Sequence, residues 1–235
     1  MRQPATERQF NYDHFINREL SLLQFQRRVL AQAADPSVPL LERLRFLCIV
    51  SSNLDEFFEV RVAGVKEQMR LGSVVTTTDG LTPSALHGRI SREVHGIISE
   101  QYNLLNNTIL PALAQEGIVF LRRSVWTDAQ HLWAREYFLR EVMPILTPIG
   151  LDPAHPFPRV LNKSLNFAVE LEGRDAFGRS SGTAIVQAPR ALPRVIRLPP
   201  ELTGVDYGFV FLSSLLHAHV GELFEGMNVL GCYQF

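Results

Sequence analysis

Along the first half of the chain, apolar residues recur at helical spacing. After a polar leader, Asn17 precedes Leu22, Phe25, Val29, Leu30 and Ala33, and the run stops at Asp35-Pro36. Asparagine ahead of a periodic apolar run is a helix N-cap, and proline disfavours helix in the residue before it, so a first amphipathic helix capped by Asn17 is predicted. A second, short helix carries Leu40, Leu44, Leu47 and Cys48 on one face and Glu42, Arg43 and Arg45 on the other, ending at Ser51-Ser52. The clearest is a third, in which Leu54, Phe57, Phe58, Val62, Val65 and Met69 share a face and Gly72 stands where a C-terminal cap belongs. Ser73 to Leu81 is predicted as an exposed loop. Thr82-Pro83 then combines an N-cap with proline at the first helical position. The long helix it opens is marked by Leu86, Ile90, Val94, Ile97, Ile98, Leu104 and Leu105, and is expected to bend or end near Pro111, before Gly117.

The texture then changes. Thr127 or Asp128 caps a helix bearing Leu132, Trp133, Tyr137 and Phe138, which must end before Pro144. Beyond it Leu165, Phe167, Val169 and Leu171 alternate with Asn166, Ala168, Glu170 and Glu172, the pattern of a half-buried strand. TAIVQA and RVIRL predict two more strands between proline-bearing turns, and LSSLLHAHVGELF another helix. The expected fold class is therefore α+β: an N-terminal all-helical bundle over residues 1–117, then a mixed α+β domain over 118–235. The last run, VLGCYQF, is apolar and strand-like with no turn or polar tail, so the second domain is expected to be incomplete at its C-terminal end.

Composition narrows the function classes. With 46% hydrophobic and 20% charged residues the chain can bury a real core. A net charge of −1 gives no footprint for non-specific binding to nucleic acid or anionic membrane, so any anion site must be local. The chain lacks an apolar leader segment and any run approaching the ~18 apolar residues of a membrane span. Cys48 and Cys232 both sit in apolar runs, which suits buried, reduced thiols. A cytoplasmic protein without an integral membrane segment is expected, peripheral membrane association being compatible with this.

Candidate chemistry is sparse. Ser51-Ser52-Asn53 opens the strongest predicted helix with Glu56 three residues after Asn53, the pattern of an N-cap and capping box. A helix N-terminus also offers free N–H groups and a positive dipole end to a nucleotide, and an asparagine amide can donate and accept at once, as an adenine edge demands. Both roles stay open for Asn53. Asp55 and Glu56 suit a first helical turn without any acid–base chemistry. Asp152 and His155 lie among the prolines of LDPAHPFP, where two ligands fall short of a metal site and a rigid turn with His155 bonded to backbone is expected. His131, His217 and His219 are scattered and are read as surface or core histidines. From 151 to 200 there are seven basic residues (Arg159, Lys163, Arg174, Arg179, Arg190, Arg194, Arg197) against four acidic ones. They fit solvated loops, or a basic rim guiding a chain of phosphates. No P-loop, Gly-x-Gly-x-x-Gly or Gly-x-Ser-x-Gly signature is present, so neither a self-contained nucleotide-chemistry site nor a catalytic residue nor a metal site is expected within the chain.

Several blocks, INRELS, PLLERLRFLCIVSSNLDEFF, VRVAGVKEQ, LTPIGLDPAHPFP, NKSLNFAV and GCYQF, occur in an order that resembles the polyphosphate kinase family from about Phe15 onward. Leu22 and Gln26 stand where that family usually has a tryptophan and an asparagine, and Leu223-Phe224-Glu225-Gly226 where it usually has LFPG. The resemblance implies a helical N-terminal domain and a head domain. It further implies two catalytic domains lying past Phe235, which would carry the phosphorylated histidine and the Mg2+ site. It also implies reversible transfer of the terminal phosphate of ATP to polyphosphate, with Asn53 as an ATP-binding residue, ATP/ADP and polyphosphate as partners, and homo-oligomers. The competing expectation is a free-standing helical module that binds a protein or nucleic-acid partner. Unpatterned charge speaks against it.

Overall fold

The computed structural model describes residues 11–152, 154, 156–173 and 182–235. The fold is α+β, an all-helical N-terminal unit followed by a mixed unit, dividing between Leu113 and Ala114.

In the helical unit, α1 spans Arg18–Ala34, and the side chain of its N-cap Asn17 accepts from the backbone N–H groups of Glu19 and Leu20, as predicted. Its buried stripe is Leu23, Gln26, Leu30 and Ala33; Leu30 and Ala33 are buried as predicted, whereas Leu22 and Phe25 are exposed. Gln26 belongs to the core side of the helix because it falls between Leu23 and Leu30 at a helical interval.

The largest correction concerns α2, which runs unbroken over Leu40–Phe57. It passes through Ser51-Ser52-Asn53, where the sequence suggested a break. The segment contains no glycine or proline from Leu40 to Ala63. Serine and asparagine cost only a few tenths of a kcal/mol in a helix interior, up to about 0.7. The continuous buried stripe Leu47, Val50, Leu54 and Phe57 outweighs that. A π turn over Phe58–Val62 leads directly into α3, Ala63–Arg70. The extra residue of the wider turn moves the next buried position to Val62, five residues after Phe57, leaving Phe58 exposed. Gly72, at φ 66°, terminates α3 in the left-handed conformation that glycine adopts without strain.

The segment from Ser73 to Leu81 lacks helix and strand, as predicted. Its second half is tied back: Asn17 Nδ2 donates to Asp79 Oδ1 at 3.0 Å, and Thr77 Oγ1 donates to the same carboxylate. Next, α4 spans Pro83–Leu104 behind the N-cap Thr82, burying Leu86, Ile90, Val94, Ile97 and Gln101. A π turn over Leu105–Ile109 and α5, Leu110–Gln115, continue it past Pro111. Proline cannot donate to the carbonyl four residues back. The wide turn, in which the Leu110 N–H bonds Leu105 O, lets the helix survive there instead of ending.

The mixed unit contains β1 (Ile118–Phe120), α6 (Asp128–Tyr137), β2 (Thr147–Gly150), β3 (Leu165–Gly173), β4 (Thr183–Ala188), β5 (Val195–Arg197), α7 (Pro200–Thr203), β6 (Tyr207–Phe211), α8 (Leu212–His219) and β7 (Met227–Gln234). Thr127 caps α6 with a capping box to Gln130. Two sheets form, β1-β6-β5 with β1 parallel to β6, and the antiparallel β2-β4-β3-β7. The short strands β1, β2 and β6 were not foreseen. Each is at most five residues long, too short for alternation to stand out. The inward row of β3, Phe167, Val169 and Leu171, joins Ala184, Val186 and Ala188 of β4 in one apolar cluster with Phe138, Leu212, Leu215 and Leu216. On the other face Glu170 and Glu172 are exposed as expected, whereas Asn166 is buried. A bulge opposite Glu170 and Leu171 leaves Leu230 of β7 as the extra residue.

Candidate functional site

Asn53 lies in the interior of α2, so it is neither an N-cap nor part of a capping box, and no helix N-terminus stands at this point. Both local roles suggested by the sequence therefore change. What positions Asn53 is a side chain from a different helix: its Nδ2 donates to Gln26 Oε1 of α1 at 3.0 Å. Gln26 is only 7% exposed, while Asn53 is half-buried. One Nδ2 hydrogen is thereby committed to α1, which leaves one donor and one acceptor on the amide.

A second buried amide steadies the same stretch. Gln101 of α4 donates through Nε2 to Leu47 O at 2.9 Å and to Ser51 Oγ at 2.7 Å. Arg27 of α1 reaches Glu93 at 3.1 Å and Glu100 at 3.4 Å on α4. Hence the turn of α2 that carries Asn53 is gripped from α1 on one side and from α4 on the other. Gln26 and Gln101 were not among the residues that the sequence singled out. A signal was there, since each occupies a core position in an otherwise apolar stripe.

Asp55 and Glu56 are exposed and sit near the end of α2 rather than in a first turn, so the dipole argument for them does not apply. Cys48 is exposed, contrary to expectation, because it lies off the stripe of Leu47 and Val50; Cys232 is partly buried, and burial pushes its thiol up. His155 lies outside the described residues, as do Arg174 and Arg179. Asp152 Oδ1 accepts from Ala154 N at 2.9 Å, closing a turn. His217 packs edge-on to Phe167 and His219 lies against Phe138; burial lowers the pKa of both. Among the basic residues of 151–200, Arg190, Arg194 and Arg197 donate to the carbonyls of Asn162, Ala188 and Asp206, which ties loops together. A cavity of about 270 Å³ lies over the cross-strand row Thr147, Gln187 and Asn166, with Arg190 at its side. Among the described residues no group of three or more His, Cys, Asp or Glu could hold a metal ion, and no helix is long and apolar enough to cross a membrane.

An all-helical unit followed by a mixed head unit is the arrangement that the motif blocks implied. The N-terminal domain of polyphosphate kinase matches residues 15–121 and the middle domain of polyphosphate kinase matches residues 129–235. The chain belongs to the polyphosphate kinase family. It is 65% identical over 223 residues to the polyphosphate kinase of Neisseria meningitidis serogroup B, covering 95% of this chain and 33% of that relative. The Burkholderia vietnamiensis polyphosphate kinase is 60% identical over 220 residues, covering 94% and 32%. The crystal structure of polyphosphate kinase from Porphyromonas gingivalis superposes with a TM-score of 0.79 at 28% identity, covering 94% of this chain and 32% of that one. The chain thus spans about a third of the length of these relatives.

Proposed function

We propose that this chain is the nucleotide-contacting and assembly portion of an enzyme that transfers the terminal phosphate of ATP reversibly to polyphosphate through a phosphohistidine. The phosphorylated histidine and the other catalytic residues lie beyond residue 235, and the full-length protein is a homo-oligomer. Asn53 supplies an adenine-side contact. The observation that carries this is its half-buried amide, held from behind by Gln26 yet keeping one donor and one acceptor for a base edge. The Mg2+ that accompanies ATP is assigned to the same downstream part.

The test is Asn53→Ala in the full-length enzyme. Alanine is the better residue for a helix interior, which offsets part of the loss of the bond to Gln26, so the melting temperature should move little. Loss of a base contact should cost ~1–3 kcal/mol of binding, raising the apparent KM for ATP about tenfold or more. An unchanged KM would refute the assignment. Residues 1–235 alone, incubated with ATP and magnesium, should make no polymer and carry no phosphohistidine; label on His131, His155, His217 or His219 would place the chemistry inside this chain instead.

A further inference from the structure

Gln26 is a polar side chain at a position where burial alone would favour an apolar one. It sits in the buried stripe of α1 between Leu23 (0% exposed) and Leu30 (1% exposed), where an apolar side chain would fill the same space without a polar group to satisfy. The one hydrogen bond made by its side chain among the described residues runs to Asn53 on the neighbouring helix. An asparagine amide can turn over about its last torsion and present either its oxygen or its NH2 group outward, and a half-exposed side chain is free to do so unless a neighbour fixes it.

We infer that Gln26 is a positioning residue that fixes which way the Asn53 amide faces and thereby sets the base preference of the nucleotide site. The inference rests on the reading of Asn53 as the adenine-side contact. Gln26 Oε1 accepts from Nδ2 at 3.0 Å, so the NH2 end of Asn53 is turned towards α1 and Oδ1 is turned away from it. An outward acceptor matches the exocyclic amino group of adenine. It opposes the 6-oxo group of inosine or guanine, where two acceptors would meet. Gln26 touches no substrate in this arrangement; it acts through Asn53.

The experiment compares apparent KM values for ATP and inosine triphosphate in the full-length enzyme. Gln26→Met keeps the length and burial of the side chain but removes the acceptor. It should lower the preference for ATP over inosine triphosphate about fivefold or more, with kcat for ATP little changed. Gln26→Glu keeps an acceptor for Asn53 Nδ2 and, when ionised, offers no donor, so above the pH at which it ionises it should keep the wild-type preference. A Gln26→Met enzyme with the wild-type preference overturns the inference. So does a Gln26→Glu enzyme that loses preference as the methionine variant does, because the amide pair would then run in the opposite sense. If the methionine variant does not fold, Gln26→Leu takes its place with the same expectation. Asn53→Ala in the same assay separates the two layers: unchanged KM values for both nucleotides defeat the adenine contact itself. A raised KM for ATP alongside an intact preference in Gln26→Met defeats only the positioning role.

Discussion

The two units of this chain rely on buried polar groups to different degrees. In the helical unit the interior amides cross-link helices: Asn17 ties α1 to the loop at Asp79, Gln26 joins α1 to Asn53 of α2, and Gln101 joins α4 to Leu47 and Ser51. In the mixed unit one buried amide does the same, Gln130 of α6 donating to Leu202 O of α7 at 2.8 Å, but the core is otherwise one apolar cluster. All three buried side-chain atoms without a partner among the described residues, Asn166 Oδ1, Arg194 Nη1 and His219 Nε2, belong to this unit. A helix satisfies its own backbone, so buried side-chain amides are free to fix how neighbouring helices meet. Such bonds add little net stability but penalise any shift of one helix along another. The helical unit is therefore cross-linked by amides, two of them at the turn that carries Asn53, whereas the mixed unit is held mainly by apolar burial.

The hardest test of this contrast is Phe138→Ala, since Phe138 is fully buried in the apolar cluster. The change should remove about 3–5 kcal/mol from the mixed unit. Both tryptophans, Trp126 and Trp133, lie in that unit, so fluorescence in urea should follow its early unfolding while far-UV circular dichroism retains a later helical transition. A single transition shifted equally in both signals would show that the two units do not melt separately.

A smaller effect is expected from Asn17→Ala, which removes the cap of α1 and the donor to Asp79. The cost should be about 1–2 kcal/mol. Burial alone would raise the Asp79 pKa, but hydrogen bonds from Thr77 and Asn17 outweigh it and hold the carboxyl below its ordinary range. Without Asn17 that anchor weakens, and limited proteolysis near the exposed Val74 and Val75 should quicken. Unaltered cleavage would mean that the loop is held by other contacts.

The smallest effect is a pH dependence of the mixed unit. Burial depresses His217 and His219 below the ordinary histidine value of about 6.5, the field of Glu222 opposing this only partly at His219. The unfolded chain then binds protons first as pH falls, so stability is present above about 6.5 and is lost as pH drops from there towards the folded-state values. The tryptophan-reported melting temperature should fall by about 1–3 °C between pH 7.5 and 5.5. His219→Leu should flatten part of that slope, and an unchanged slope would remove His219 from the account.

Local signals in the chain were sufficient for the α+β class, the Asn17, Thr82 and Thr127 caps, the Gly72 stop and the β3 alternation, because caps, glycine stops and alternation act over a few residues. The family resemblance was legible for the same reason, being carried by contiguous blocks, and one of those blocks contains Asn53. What lay beyond sequence was the setting of that residue. The polar triplet Ser51-Ser52-Asn53 has the composition of a helix start, and only the packing of Leu47, Val50, Leu54 and Phe57 against neighbouring helices makes α2 continuous there. Gln26 and Asn53 are 27 residues apart, so no local pattern could pair them. Periodicity names the faces of each helix. Which face meets which, and therefore which amide holds which, is decided when the helices pack and each buried polar group must find a partner outside water.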